Sequence, residues 1–206
     1  MSTKPYIGKY ATEQERHAAR HRGYELLEDL PDTADIPWRA IARQAEVQQQ
    51  LAHLRGSTHA GWHLALTASG PETARFGQAM AEICCSTQAL PQPQFTSVAA
   101  ALLLEGVDDE EALAWLARHN PGHMIDRPVA SDRLGQYVDA ADGGVLFIHS
   151  FGQVAPNRVS DIAEALVYPM EFRRDTLAII VSIEGDLLRR LAAFNPSFGC
   201  RIRAVI

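Results

Sequence analysis

The chain has 206 residues, of which 47% are hydrophobic and 21% charged, and its formal net charge is −6. That size fits one domain with a sizeable core, and the acidic balance argues against a general nucleic-acid binder. No apolar run reaches the ~20 residues of a membrane span, the polar start does not read as a secretory leader, and three cysteines without a CxxC spacing fit a reducing, cytoplasmic setting with no metal motif.

In chain order, residues 1–37 read as an N-terminal helical arm, with a polar helix around Thr12–Leu27 and a break at Leu30-Pro31-Asp32. Pro37-Trp38 opens a second helix that runs to about Leu54, with Ile41, Ala45, Val47, Leu51 and Leu54 near helical spacing. Gly56 to Gly61 closes it, and Trp62–Thr67 is the first core strand, apolar on both faces as a buried parallel strand should be. Gly70-Pro71 breaks the chain before a helix from about Phe76 to Cys85, and Pro91-Gln92-Pro93 is a linker. Ser97–Leu104 and Asp109–Arg118 read as two short helices separated by Gly106, the second capped by Asp108. Together they form a helical hairpin over about 96–120. Val145–Ile148 and Leu177–Val181 are two further buried strands, and a last strand falls at Arg203-Ala204-Val205-Ile206. Strands alternating with helices predict an α/β fold: a parallel sheet with right-handed crossovers and helices on both faces.

The run Gly143-Gly144-Val145-Leu146-Phe147-Ile148-His149-Ser150 resembles a Walker B strand with His149-Ser150 where Asp-Glu would stand. The segment from Phe172 to Ile206 is similar to a block of AAA+ ATPases of the CbbX and EccA type, from an Arg-Asp before a strand to Asn-Pro and an arginine-finger segment. Ser131 to Val138 resembles that family's motif after its second strand, and His63 to Thr67 resembles the strand entering the Walker A loop. The match covers about 38–90 and 124–206. The resemblance implies a degenerate, three-layer P-loop domain over 38–206, like the AAA+ large subdomain. The hairpin is then an insertion, the helix before the Walker B strand is deleted, and no lid follows the last strand.

The expected chemistry of that family is weakened at each motif. A P-loop, GxxxxGK[ST], uses backbone amides and a Lys to hold phosphates and a hydroxyl to hold Mg²⁺. The corresponding stretch is Gly70-Pro71-Glu72-Thr73-Ala74-Arg75, where either Thr73 or Ala74 stands at the Lys position. Pro71 removes an amide donor, Glu72 brings a negative charge, and Arg75 is the one cation that could compensate. His149-Ser150 cannot supply the Walker B acid, although the pair can be read as a metal ligand or a remodelled catalytic pair. By resemblance, Arg201 matches one of two arginine-finger positions, Gly199 stands at the other, and Ser182 to Asp186 matches the sensor-1 segment. Two His-x₃-His spacings, His59/His63 and His119/His123, read as coincidence rather than zinc, and Cys200 lacks an evident base. Leu102-Leu103-Leu104 with Leu113, Trp115 and Leu116 read as packing onto the core, the alternative being a partner-binding surface on the hairpin that presents Trp115 and Leu116.

The resulting expectation is a pseudo-ATPase, not an enzyme, without a cofactor. It would act through protein–protein contacts as an accessory to type VII secretion or to an active AAA+ homologue. The alternative is a divergent nucleotide-binding protein or hydrolase that takes ATP or ADP with Mg²⁺, using Arg75 and His149. A third reading is a homo-oligomer built on the family's subunit contacts.

Overall fold

A computed structural model describes residues 9–31, 37–54, 63–67, 70–104, 130–155, 158–202 and 204–205. Seven α-helices are defined among them: α1 (Glu13–Glu28), α2 (Trp38–Leu54), α3 (Pro71–Ser86), α4 (Ala130–Ala140), α5 (Val159–Phe172), α6 (Gly185–Phe194) and the single turn α7 (Pro196–Gly199). The strands are β1 (Leu64–Leu66), β2 (Phe95–Ala99), β3 (Val145–His149), β4 (Ala178–Ser182) and β5 (Ala204–Val205). They form one parallel sheet in the order β2-β3-β4-β1-β5. The three-layer α/β architecture expected from the alternating pattern is therefore the one observed.

The sheet's pleat divides the core in two. Leu64, Leu66, Val145, Phe147, Ala178 and Ile180 pack against α1, α2 and α3. Their alternates Ala65, Leu146, Ile148, Ile179 and Val181 pack against α4, α5 and α6. Successive strand residues point to opposite faces, so a strand buried on both sides must be apolar at every position. That is why β3 runs Val-Leu-Phe-Ile before His149 and β4 runs Ala-Ile-Ile-Val before Ser182.

The order of strands also explains the placement of helices. The connection from β1 to β2, through α3, runs one way across the sheet, while those from β2 to β3, β3 to β4 and β4 to β5 run the other way. Crossovers of one hand must then lie on opposite faces, as α3 does relative to α4, α5 and α6.

Helix α1 starts at a capping box. Thr12 Oγ1 accepts from the Glu15 amide at 3.3 Å, and the Glu15 carboxylate accepts from the Thr12 amide at 2.6 Å. Its buried stripe Ala19, Gly23 and Leu27 lies on α3, where a Cβ at Gly23 would come within 2.8 Å of Ile83 Cγ1. Helix α1 of the N-terminal arm is thus packed into the helical layer of the domain. Glu46 of α2, 3% exposed, accepts from Arg20 Nε at 2.7 Å and from the Tyr24 hydroxyl at 2.6 Å, which ties α1 to α2. Trp38 at the start of α2 packs on Phe76 of α3 with ring centroids 4.8 Å apart.

Three expectations need correction. A helix does precede the Val145–His149 strand: α4 (Ala130–Ala140) forms on the stretch read as a motif and ends just before it. Ser97–Leu104 is not a helix: Phe95–Ala99 is edge strand β2, paired in register with Val145–His149, and only Ala100–Leu104 turns, as a 3-10 helix. Of the residues read as the first arm of an inserted hairpin, 97–99 are therefore part of the sheet. The second arm, Asp109–Arg118, lies outside the described residues. Helix α3 is also longer than expected, since Gly70-Pro71 is its start as well as a break, with Pro71 at the first helical position.

Candidate functional site

Where adjacent parallel strands send their connections to opposite faces, a crevice opens at their carboxyl ends. Here those strands are β1 and β4, and a cleft of about 410 Å³ lies there. Thr67 and the start of α3 (Gly70, Pro71, Thr73, Ala74) form one side. The end of β3 (Phe147, His149, Ser150, Phe151, Gly152) and the end of β4 (Ser182, Ile183, Glu184) form the others. The stretches expected to correspond to Walker A, Walker B and sensor-1 thus meet in one place.

The start of α3 is built from its own residues. Gly70, with φ +132°, is the N-cap, a conformation that L side chains rarely adopt. The Glu72 carboxylate folds back against Gly70, so closely that a Cβ there would collide with it. A carboxylate in the first turn complements the helix dipole. The Thr73 hydroxyl is 2.8 Å from the Gly70 carbonyl and donates to it, and Thr73 is 2% exposed. Ala74 lines the cleft as a methyl only. Arg75 does not line it: its guanidinium is 2.8 Å from Asp29 at the end of α1, in an exposed ion pair. The proposed compensation of Glu72 by Arg75 therefore has no geometric basis.

At the end of β3, His149 Nδ1 and Ser150 Oγ are 2.7 Å apart. The imidazole stacks on Phe147, with centroids 5.7 Å apart and an interplanar angle of 26°. Ser150 has φ 60° and ψ 37°, left-handed backbone that a non-glycine residue enters at a cost of about 1–2 kcal/mol. No Lys or Arg lines the cleft among the described residues, and Glu184 is a carboxylate on its wall.

Arg201 is elsewhere. The register Leu64↔Ala204 places it before the start of β5, at the edge of the sheet opposite the cleft. Its guanidinium holds the Glu171 carboxylate at 2.9 Å and the Ser197 carbonyl at 2.6 Å. Trp115 and Leu116 lie outside the described residues, as do His59, His119 and His123. His63 is buried and structural: Nδ1 accepts from the Ile179 amide at 3.0 Å, so the ring proton is on Nε2, which donates to the Met170 carbonyl at 3.0 Å. Among the described residues no group of three or more His, Cys, Asp or Glu is placed to hold a metal. No helix among them is long and apolar enough to cross a membrane. Cys84 and Cys85 are buried, and burial pushes both thiols up, to about 12 and about 11.

Sequence reasoning missed the cleft walls Phe151 and Gly152. The signal was available, because residues that follow each buried parallel strand converge at one end of such a sheet.

No protein-family model matches the chain, and no curated protein matches it. Among solved structures, a chain in the structure of Drosophila ORC bound to AT-rich DNA and Cdc6 is similar. It is 11% identical, with a TM-score of 0.41, over 100% of this chain and 34% of that chain. This chain spans about a third of that chain's length.

Proposed function

We propose that the chain is an AAA+-like domain of the CbbX/EccA type that does not hydrolyse ATP and works through contacts with other proteins. The observation that carries this reading is the charge of the cleft. Among the described residues its lining holds Glu184 and no cation, and the Glu72 carboxylate beside Gly70 adds a second negative charge to the start of α3. Triphosphate binding needs the opposite, amides and cations converging on the phosphates. Two like charges brought within ~4 Å repel by about 1 kcal/mol in water and by about 4 kcal/mol near a protein surface. The alternative nucleotide hydrolase is less favoured, because Arg75 is turned to Asp29 and His149 to Ser150.

For protein contacts, Tyr168 of α5 and Phe194 of α6 stand 68% and 76% exposed on the helical layer formed by α4, α5 and α6. Exposed aromatic side chains are the usual anchors of a protein interface. An accessory role beside an active AAA+ homologue, or in type VII secretion, is the setting that the motifs favour.

The test is thermal unfolding with and without about 5 mM Mg-ATP, together with phosphate release. A ligand present at 100 times its Kd stabilises by about 2.7 kcal/mol, which for a chain of this size is roughly 5–10 °C in Tm. The reading predicts no rise and no phosphate release. A rise of that size, with turnover, overturns it.

A further inference from the structure

We infer that the cleft is an acyl-transfer site, with Ser150 as nucleophile and His149 as its base, for a small uncharged ester or thioester. This goes beyond the loss of Mg-ATP chemistry and does not depend on which protein partner the domain has.

Three independent features converge. The first is the backbone: Ser150 is one of two non-glycine residues with positive φ among the described ones, and it sits where β3 turns into a 3-10 helix. Strain of this kind persists where the surroundings impose it, and it clusters at reacting groups. The second is the pair itself, since 2.7 Å between Ser150 Oγ and His149 Nδ1 is the reach of a nucleophile and its base. Stacking on the buried Phe147 ring holds the imidazole in place. The third is the cleft, which at about 410 Å³ is the size of a small-molecule site and has Phe147 and Phe151 in its wall.

Charge selects the substrate. With Glu184 on the wall and no cation among the described lining residues, a phosphate ester or carboxylate is repelled and an uncharged acyl group is accepted.

With its proton on Nε2, His149 accepts the Ser150 hydroxyl proton at Nδ1 as Oγ attacks the acyl carbon. The Oγ–C bond forms, the bond from carbon to the leaving oxygen or sulfur breaks, and His149 returns the proton to the leaving group. Water then attacks the acyl-serine, His149 takes its proton and gives it to Ser150 Oγ, and a carboxylic acid leaves.

The experiment treats the full chain at about pH 8 with an uncharged alkyl fluorophosphonate, which forms a Ser–phosphorus bond and releases fluoride. The adduct is mapped by peptide mass spectrometry, and p-nitrophenyl acetate hydrolysis is followed in parallel. One adduct on Ser150 is expected. It should be absent in Ser150→Gly, which suits the left-handed backbone, and slowed about 10²-fold in His149→Gln. Melting curves check that each variant folds, and the wild-type peptide map decides the question even if one does not. No adduct on Ser150 under excess probe, or ester hydrolysis unchanged in both folded variants, overturns the inference.

Discussion

Replacing Glu46 by Ala tests how the N-terminal arm is held. The carboxylate is 3% exposed and accepts from Arg20 Nε at 2.7 Å, Arg20 Nη2 at 3.5 Å and the Tyr24 hydroxyl at 2.6 Å. Hydrogen bonds to a charged group contribute about 1.5–3 kcal/mol each, but the two partners recover differently. The Arg20 side chain is 57% exposed and returns to water when its acceptor is lost, whereas the Tyr24 hydroxyl is partly buried. The net loss should be about 2 kcal/mol, short of the ~3–5 kcal/mol of a fully buried broken pair, or roughly 4–8 °C in Tm.

Its pH dependence has a definite sign. Burial pushes the Glu46 carboxyl up, but hydrogen bonds from Arg20 and Tyr24 and the charges of Arg20 and Arg43 outweigh it, so the group titrates below the ordinary carboxylate range. A depressed folded pKa adds stability above the unfolded value of about 4.3 and loses it as pH falls through the folded pKa. In urea unfolding, wild type and Glu46→Ala should differ by about 2 kcal/mol at pH 7, and the difference should begin to shrink below the unfolded value of about 4.3 and go on shrinking as pH falls through the folded pKa. A difference under about 0.5 kcal/mol at pH 7, or one that does not change with pH, refutes the argument.

Other substitutions probe the sheet. Gly144→Ala puts a methyl against the backbone of Gln94, whose carbonyl carbon would stand 2.7 Å away, while the Gly144 amide and carbonyl are fixed by bonds to Ala141 and Ala178. Overpacking against backbone should cost about 3 kcal/mol, read from the urea midpoint. His63→Ala leaves the Met170 carbonyl and the Ile179 amide buried without their partner and should cost about 3 kcal/mol. Arg75→Ala breaks only an exposed ion pair with Asp29 and should shift stability by under about 1 kcal/mol, with no effect on anything the cleft binds.

Strands β1, β3 and β4 were legible as apolar runs because each is buried on both faces. Strand β2 was not. It lies at the edge of the sheet, Ser97 is exposed, and the Ala-Ala-Ala-Leu-Leu-Leu run that begins at its last residue has helical propensity. Its pairing with β3 is a tertiary fact that overrides that local preference. The cleft was legible in part: Gly70, Thr73, Ala74, His149 and Ser150 do come together, because strand ends and helix starts are local signals. Arg75 could not be placed, since its partner Asp29 lies 46 residues away on a helix whose docking the sequence does not specify. The position of Arg201 followed only from the register of β5 on β1.

The most direct test of the central claim is an amide chemical-shift titration of the ¹⁵N-labelled chain with Mg-ATP up to about 10 mM. A cleft that takes no triphosphate leaves the shifts of Thr73, Ala74, His149, Ser150 and Ser182 unchanged throughout. Saturating shifts at those five positions would show a triphosphate seated in the cleft and would contradict that claim.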